Sequence, residues 1–364
     1  MTSTLFTPIE VGGLTLPNRL WIASMCQYSV EEEDGVPAEW HLVHLGSLAR
    51  GGAGLVLTEA TAVSPEGRIS PQDTGIWNEQ QAAAWSRIVD FAHGVGTAIG
   101  VQLAHAGRKG STYSPFAGAT GSVPVADGGW PTVAPSPIAF PGYAEPRRLD
   151  AAGIRAVVDD FAAAARRAVE AGFDVLELHA AHGYLLHQFL SPLSNTRTDE
   201  YGGPLENRAR LLLDVVGAVR AAAPGTPLLI RFSGTDWRDD GWTVAETATV
   251  AGWARDAGAD FFDVSSGGNA PASIPVGPGY QVPLAEEVKR RAGVPVSAVG
   301  LITTAEQAEE IVATGRADAV MIARAALRNP HFPLEAAEEL GAPAPWPPQY
   351  ARAARRRAAA AGQR

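Results

Sequence analysis

Residues 175–210 read VLELHAAHGYLLHQFLSPLSNTRTDEYGGPLENRAR, and this stretch decides the fold prediction. It begins with an apolar run, Val175–His179, that is typical of a buried β-strand. A polar segment with several glycines follows, and an amphipathic pattern over Leu205–Ala222 then predicts a helix. This order is one unit of a parallel α/β sheet, and the polar segment leaves the carboxyl end of the strand, where barrel enzymes place their functional residues.

The same alternation extends from this stretch towards both ends of the chain. Seven further apolar runs predict strands at Leu20–Ala23, Leu55–Thr61, Ala98–Leu103, Pro227–Phe232, Phe261–Ser265, Val294–Ala298 and Ala319–Ile322. Amphipathic stretches predict helices at Ala151–Ala171, Val244–Ala257, Leu284–Ala292 and Ala305–Thr314. Because no break in composition separates the eight strand–helix units, we predict one α/β domain, a (β/α)8 TIM barrel over residues 1–345, followed by a C-terminal tail over residues 346–364.

One long segment interrupts the alternation after the third strand. Residues Ala104–Asp150 contain many Gly, Pro and Ser residues and have too little periodicity for a helix. A loop of this length in a compact domain is usually a lid or a binding segment. We therefore predict an extended lid over the carboxyl end of the barrel.

Composition restricts the classes of partner. The chain has 364 residues, a formal charge of −10 and one cysteine, Cys26, and its isoelectric point is about 5.3. The acidic balance argues against a nucleic-acid partner, and one cysteine excludes an intrachain disulfide and a cysteine-ligated cluster. We expect no secretory signal, and the sequence has no apolar run of about 18 residues. We expect a cytoplasmic protein without a membrane partner.

Two loops are candidates for phosphate binding. The dinucleotide fingerprint of the Rossmann fold is absent, so a bound nucleotide would need another kind of site. Gly300 follows the seventh predicted strand and Arg324 follows the eighth, which are the positions where barrels commonly hold phosphate. The alternative is that Gly300 is an ordinary turn and Arg324 is a surface charge.

Two histidines and a tyrosine follow the fourth strand. His179 and His182 could present two N–H donors to one oxygen, could ligate a metal, or could be structural, and Tyr184 lies two residues further on. The metal interpretation lacks further ligands, and we predict no metal site. Cys26, Gln102 and Arg231 lie near the ends of other strands, and each taken alone is better explained by core packing, a hydrogen bond or a carboxylate partner.

Taken together, these positions resemble the Old Yellow Enzyme family of flavin-dependent ene-reductases, in its thermophilic-like bacterial branch of NADPH dehydrogenases and xenobiotic reductases. The resemblance is carried by residues 179–210, by QLAHAGRK at 102–109 and by DVSSGG at 263–268. It implies an FMN-binding barrel, NADPH as hydride donor, an enone or enal as substrate and a homodimer.

The resemblance also implies residues for the cofactor. A first group would line the flavin ring: Ala23, Ser24, Met25, Cys26, Ala60 and Gln102. The Cys26 thiol would tune the reduction potential, and Arg231 would face the edge where negative charge accumulates on reduction. Gly300, Ala323 and Arg324 would hold the phosphate.

The implied reaction is a two-step hydride transfer through flavin N5. His179 and His182 would bind the carbonyl oxygen of the substrate, and Tyr184 would donate a proton to its α-carbon. Tyr28 and Lys109 would contact the substrate. Arg352, in the tail, would reach the active site of a neighbouring subunit.

Two positions depart from the family pattern, and two other functions stay open. Ser24 stands where proline is usual, which leaves a backbone N–H and a freer φ beside the flavin, and Ala323 stands where glycine is frequent. The alternatives are a flavin-free phosphate-binding isomerase or aldolase and a non-catalytic FMN-binding protein. Larger relatives that carry an iron–sulfur cluster are excluded because one cysteine cannot bind the cluster.

Overall fold

The computed structural model describes residues 3–352 and residue 354. Eight parallel strands form a closed barrel. Numbered along the chain, they are β1 (Leu20–Ile22), β2 (Leu55–Ala62), β3 (Ala98–Ala104), β4 (Val175–Ala180), β5 (Leu228–Ser233), β6 (Phe261–Ser265), β7 (Val296–Ala298) and β8 (Ala319–Ile322). Strand β8 pairs with β1 and closes the barrel, so the predicted (β/α)8 TIM barrel is confirmed.

The helices cover the outside of the barrel and the loops that leave it. They are α1 (Glu39–Ala49), α2 (Glu79–Gly94), α3 (Ala151–Glu170), α4 (Leu185–Leu190), α5 (Leu205–Ala222), α6 (Val244–Asp256), α7 (Val282–Ala292), α8 (Ala305–Ala313), α9 (Arg324–Arg328) and α10 (Phe332–Glu339). Helix α6 begins with a reciprocal cap between Thr243 and Glu246, and α7 ends at Gly293 with a φ of 63°. None of the described helices is long and apolar enough to cross a membrane.

The side chains that face the inside of the barrel change from apolar to polar along each strand. Because alternate residues of a strand point to the same face, Val175, Glu177 and His179 of β4 all face inwards. The residue nearest the amino end, Val175, belongs to an apolar cluster with Trp21 and Phe261, and the two further along are polar. An antiparallel hairpin of Ile9–Val11 and Leu14–Leu16 packs against this cluster. The apolar cluster thus fills the amino end, and the polar residues converge on the carboxyl end.

The segment between β3 and α3 has the position predicted for the lid. It contains short 3-10 turns at Gly107–Lys109 and Val125–Asp127 and a small sheet of Val133–Ala134 with Arg147–Arg148. Asp150 ends the segment as the N-cap of α3, where its side chain accepts from the N–H of Gly153. The lid lies over the end of the barrel to which the polar side chains point.

Candidate active site

His179 and His182 form a pair at the carboxyl end of β4. Atom Nε2 of His179 lies 3.4 Å from Nδ1 of His182, and the rings are nearly perpendicular. Burial lowers the pKa of both imidazoles well below 6.5, and the positive charges of Arg231 and Lys109 lower them further. Both rings are therefore neutral near pH 7, and each carries one N–H donor.

Tyr184 and Lys109 surround the histidine pair. The ring of Tyr184 packs edge-on against His179, with centroids 4.9 Å apart, and burial raises the pKa of its phenol well above 10. Atom Nζ of Lys109 donates to the carbonyl oxygens of His182 and Gly268 at 2.8 and 2.9 Å and lies 5.0 Å from the Tyr184 ring centre. The phenol keeps its proton at neutral pH, which suits a proton donor.

The loop after β1 lies beside these groups. Cys26, Tyr28 and Tyr184 pack against one small apolar cluster that contains Ala60 and Ile69. Burial raises the pKa of the Cys26 thiol well above 9, and the charges of Asp73 and Glu59 raise it further. Cys26 is therefore a neutral thiol and not an activated nucleophile.

Ser24 and Gln102, both predicted to contact the flavin, are joined to each other. The hydroxyl of Ser24 donates to Oε1 of Gln102 at 2.9 Å, and Nε2 of Gln102 donates to Glu177 at 2.6 Å. Atom Nε of Arg231 lies 2.8 Å from Oδ2 of Asp263. Asp263 is therefore the carboxylate partner that a structural role of Arg231 requires. The remaining guanidinium nitrogens of Arg231 make one hydrogen bond among the described residues, from Nη1 to the carbonyl of Ser24 at 3.5 Å.

The two predicted phosphate loops meet in one cavity. Gly300, Ala323 and Arg324 line a cavity of about 150 Å³ together with Arg231 and Ser265. Gly300 has a φ of 123°, and a Cβ atom there would lie 2.8 Å from Nε2 of Gln281. The backbone N–H groups of Gly300 and Ala323 have no acceptor within the part of the chain that the structure describes. These two amides and the guanidinium of Arg324 are suited to an anion.

The predicted roles of two residues, Met25 and Arg352, stay predictions. Met25 is partly buried against the large apolar core, and Arg352 is exposed at the end of the described chain. Arg352 follows the 3-10 turn Pro348–Tyr350, whose Tyr350 accepts a hydrogen bond from Arg50. The rest of the predicted tail, residue 353 and residues 355–364, lies outside the described residues.

Four polar residues of the site were not predicted from the sequence. They are Glu177, Asp263, Ser265 and Gln281. Glu177 precedes His179 by two positions on β4, and Asp263 precedes Ser265 by two on β6, so the two-residue period of a strand would have indicated the carboxylates. Gln281 lies in the loop before α7, where no such period applies.

Most of the chain matches one enzyme family. Residues 4–342 match the NADH:flavin oxidoreductase / NADH oxidase family. This chain belongs to that family, the relatives of the Old Yellow Enzyme, and is an oxidoreductase that uses FMN and a nicotinamide donor.

Named relatives agree with this assignment. The chain is 47% identical over 352 residues to the NADPH dehydrogenase of Listeria innocua, with 96% of this chain and 99% of the relative covered. It is 46% identical over 353 residues to the NADPH dehydrogenase of Geobacillus thermodenitrificans, with 97% and 99% covered. Both relatives are therefore similar to this chain over nearly their full length.

Solved structures give the same result. Morphinone reductase matches with a TM-score of 0.78 at 30% identity, covering 94% of this chain and 91% of that one. The Old Yellow Enzyme homologue of Zymomonas mobilis matches with 0.77 at 30% identity, covering 92% and 93%. A 2-naphthoyl-CoA reductase matches with 0.84 at 26% identity and 92% of this chain, but this chain spans only 52% of that longer protein. The predicted family, barrel and cofactors are thereby confirmed, and a flavin-free isomerase or aldolase loses its support.

Proposed function

We propose that this chain is an NADPH-dependent ene-reductase that reduces the C=C bond of α,β-unsaturated carbonyl compounds. The observation that carries the proposal is the pair of neutral imidazoles, His179 and His182, whose facing nitrogens lie 3.4 Å apart beside the Tyr184 phenol. Two N–H donors at one point suit an acceptor oxygen that gains negative charge during the reaction. When bound, FMN supplies the hydride chemistry of the enzyme.

The residues that would hold FMN fall into two groups. Atoms Nη1 and Nη2 of Arg231 would contact the ring system, as would the loop from Ala23 to Cys26, Ala60 and Gln102. Gly300, Ala323 and Arg324 would bind the phosphate through one cation and two backbone amides that have no acceptor among the described residues. The Cys26 thiol would act on the flavin as a neutral, polarisable neighbour rather than as a charged one.

His179 and His182 would bind the carbonyl oxygen of the substrate. Because both rings are buried and neutral, they polarise the carbonyl as hydrogen-bond donors and do not transfer their protons. As hydride reaches the β-carbon, negative charge moves to this oxygen, and the two donors stabilise the resulting enolate.

Tyr184 would complete the reduction. The α-carbon of the enolate takes the phenolic proton of Tyr184, and solvent returns a proton to the phenolate afterwards. The ammonium of Lys109, 5.0 Å from the Tyr184 ring centre, favours the transient negative charge on the phenolate. Removing the hydroxyl should therefore slow the protonation without releasing the substrate.

The substrate would enter under the lid. Tyr28, Lys109, Tyr143 and Tyr184 line a pocket of about 340 Å³ whose other wall is the lid segment 112–121. Four aromatic rings, counting that of Tyr113 in the lid, and one cation suit a flat, apolar compound with a polar end, as an enone or enal is. The lid therefore selects among substrates of this class.

The proposal is tested with H179A, H182A and the double variant, using cyclohex-2-enone as substrate under anaerobic conditions. Removing one oxyanion-type donor commonly costs about 10²–10³ in kcat, and we expect kcat/KM to fall in this range for each single variant. Y184F should lower kcat with little change in KM. The FMN content per chain and NADPH oxidation with oxygen as acceptor serve as controls. Unchanged enone turnover in the double variant would exclude the proposed role.

A further inference from the structure

The peptide that joins His182 to Gly183 lies in an unusual stretch of backbone. Both residues are left-handed, with φ values of 58° and 74°. A histidine in this region is strained, so its conformation depends on contacts with its surroundings. Glycine is required at position 183, because a Cβ atom there would overlap the carbonyl oxygen of Gly268. The position of the His182 ring beside His179 therefore depends on what holds this peptide.

Both polar groups of this peptide have a side-chain partner. Its carbonyl oxygen, which belongs to His182, accepts from Nζ of Lys109 at 2.8 Å. Its N–H, which belongs to Gly183, donates to Nδ1 of His187 at 3.0 Å. Because the carbonyl and the N–H of a trans peptide point in opposite directions, the two contacts together resist rotation of the peptide plane.

The proton of His187 has a defined position. A ring nitrogen that accepts from a backbone N–H carries no proton, so the His187 ring is neutral and carries its proton on Nε2. This Nε2 lies 3.2 Å from Oδ1 of Asp236, and both side chains are fully buried. The other oxygen of Asp236 accepts from the hydroxyl of Ser191 and from the N–H of Trp242. The carboxylate is thus fixed in place and keeps the acceptor nitrogen of His187 turned towards Gly183.

The next residue of α4 holds the other side of Gly183. Atom Nε2 of Gln188 donates to the carbonyl oxygens of Gly183 and Ala106 at 2.7 and 3.1 Å. Its Oε1 accepts from the backbone N–H of Arg108 at 3.2 Å, so the orientation of the amide is settled. With the peptide after Gly183 fixed in this way, the peptide before it is the one that can still turn.

We propose that His187 is a positioning residue for His182. It accepts the N–H of Gly183 and, opposite the ammonium of Lys109, holds the peptide between them so that the His182 ring stays beside His179. The inference rests on the proposed function of the histidine pair. It adds to that function a buried residue that lies behind the pair and takes no part in the chemistry itself.

Two substitutions of His187 separate its two contacts. In H187N the amide oxygen takes the position of Nδ1 and can still accept from Gly183, whereas the contact with Asp236 is lost. In H187Q the amide nitrogen takes the position of Nε2 and can still reach Asp236, whereas the acceptor for Gly183 is lost. With FMN saturating, H187Q should lower kcat/KM for cyclohex-2-enone about tenfold, since a misplaced group commonly costs up to about 10²-fold, and H187N should stay within about twofold of the wild type. If His187 served only to pair with Asp236, H187N would be the less active variant.

A double-mutant cycle with H182A tests whether the effect passes through His182. If it does, H187Q should cost about tenfold when His182 is present and less than about twofold in the H182A background. Equal factors in both backgrounds would mean that His187 acts on the fold in general. The control is H93Q, because His93 pairs with Asp174 at the exposed end of α2. It should change kcat/KM in neither background.

The ring proton of His187 gives a readout that does not depend on turnover. Holoenzyme is labelled with ¹⁵N-histidine, and the His187 ring signals are assigned by their loss in whichever of the two variants binds FMN. We expect an unprotonated Nδ1 and a protonated Nε2 in the wild type. A proton on Nδ1 would overturn the proposal, because such a ring cannot accept from the N–H of Gly183.

The outcomes separate this inference from the proposed function. Wild-type turnover in H187Q, together with loss of turnover in the H179A/H182A double variant, would overturn the role of His187 and leave the proposed function standing. Full enone turnover in the double variant would instead overturn the proposed function, even if His187 has the expected tautomer.

Discussion

Atom Nε2 of Gln102 lies 2.6 Å from Oε2 of Glu177, and both side chains are buried inside the barrel. Burial, and next the charge of Asp263, raise the pKa of Glu177 to about 8 against the opposing effects of Arg231 and of the bond from Gln102. Atom Nε of Arg231 lies 2.8 Å from Oδ2 of Asp263, so Asp263 is better stabilised as an anion than Glu177. Glu177 is therefore a neutral acid at pH 7.

This neutral acid predicts a pH-dependent stability. The unfolded chain releases the Glu177 proton near its ordinary pKa of 4.5, whereas the folded chain keeps it up to about pH 8. The free energy of unfolding should therefore fall as the pH rises through this window, by at most about 1.4 kcal/mol per pH unit from this group. In E177Q, whose amide resembles the protonated acid, this part of the fall should disappear.

The measurement is thermal unfolding of wild type and E177Q, both with FMN bound, at several pH values from 5 to 8. E177Q should gain stability relative to the wild type as the pH rises. Parallel curves would mean that Glu177 is ionised in the folded protein. D260N, which alters a partly exposed carboxylate paired with Arg220, controls for the general effect of removing an acid.

The tight surroundings of Gly300 predict that a side chain at this position weakens FMN binding. A methyl group there would meet Nε2 of Gln281 at 2.8 Å, and the φ of 123° is unfavourable for any residue with a Cβ. G300A should therefore move the loop whose amide is proposed to contact the phosphate. We expect the dissociation constant of FMN to rise at least tenfold, measured by fluorescence of the released flavin.

The matched control for G300A is G217A. Gly217 lies in α5 with no atom within 4 Å of an added Cβ and no positive φ. Alanine there should stabilise the helix by about 0.5–1 kcal/mol without affecting FMN. Equal FMN affinities in G300A and G217A would exclude the proposed phosphate loop.

Much of the fold was predictable because barrel strands and helices have local signatures. Helix α5 has the predicted bounds, Leu205–Ala222, because an apolar stripe and its polar flanks define it. Strand β7 is shorter than predicted: it begins at Val296, after Pro295, whose missing N–H cannot enter a strand ladder. Gly172, shortly after α3, has a φ of 93°, the left-handed conformation that commonly ends a helix.

The site was predictable only in part. His179 and Gln102 belong to recognisable motifs, but their partners are set by the order of strands around the barrel. Glu177 meets Gln102 because β3 pairs with β4, and Asp263 meets Arg231 because β5 pairs with β6. Contacts of this kind depend on how the barrel closes and on the register between neighbouring strands. The sequence of a single strand does not determine either.

Lys109 predicts a positioning effect on His182, in addition to its proposed effect on the Tyr184 phenolate. Its ammonium holds the carbonyl of His182 at 2.8 Å and that of Gly268 at 2.9 Å. Because His182 has a strained φ of 58°, losing this contact should let its imidazole turn away from His179. K109M should lower kcat/KM for cyclohex-2-enone by about tenfold with FMN content unchanged, since a misplaced group commonly costs up to about 10²-fold.

The other lysine of the chain supplies the control for K109M. Lys289 donates to Gly315 and pairs with Asp318 on the outside of the barrel. K289M should leave the steady-state constants for the enone unchanged. If K109M also matches the wild type, Lys109 does not hold the histidine in its working position.

The C-terminal tail predicts a contribution from a second copy of the chain. Tyr350 accepts from Arg50, whose guanidinium lies 5.3 Å from the Tyr350 ring centre, and His331 packs edge-on against the same ring. Two residues further on, Arg352 is exposed, and it does not line the pocket beneath the lid of its own chain.

In the homodimer that we propose, Arg352 would reach the partner's pocket, so R352A should raise the KM for cyclohex-2-enone several-fold and leave kcat nearly unchanged. Light scattering of wild type and variant checks the oligomeric state. The control is R87A, because Arg87 pairs with Glu39 on the surface. R328A would not serve as a control, because Arg328 lines the proposed phosphate cavity. A monomeric wild type, or an R352A variant with an unchanged KM, would contradict a shared site.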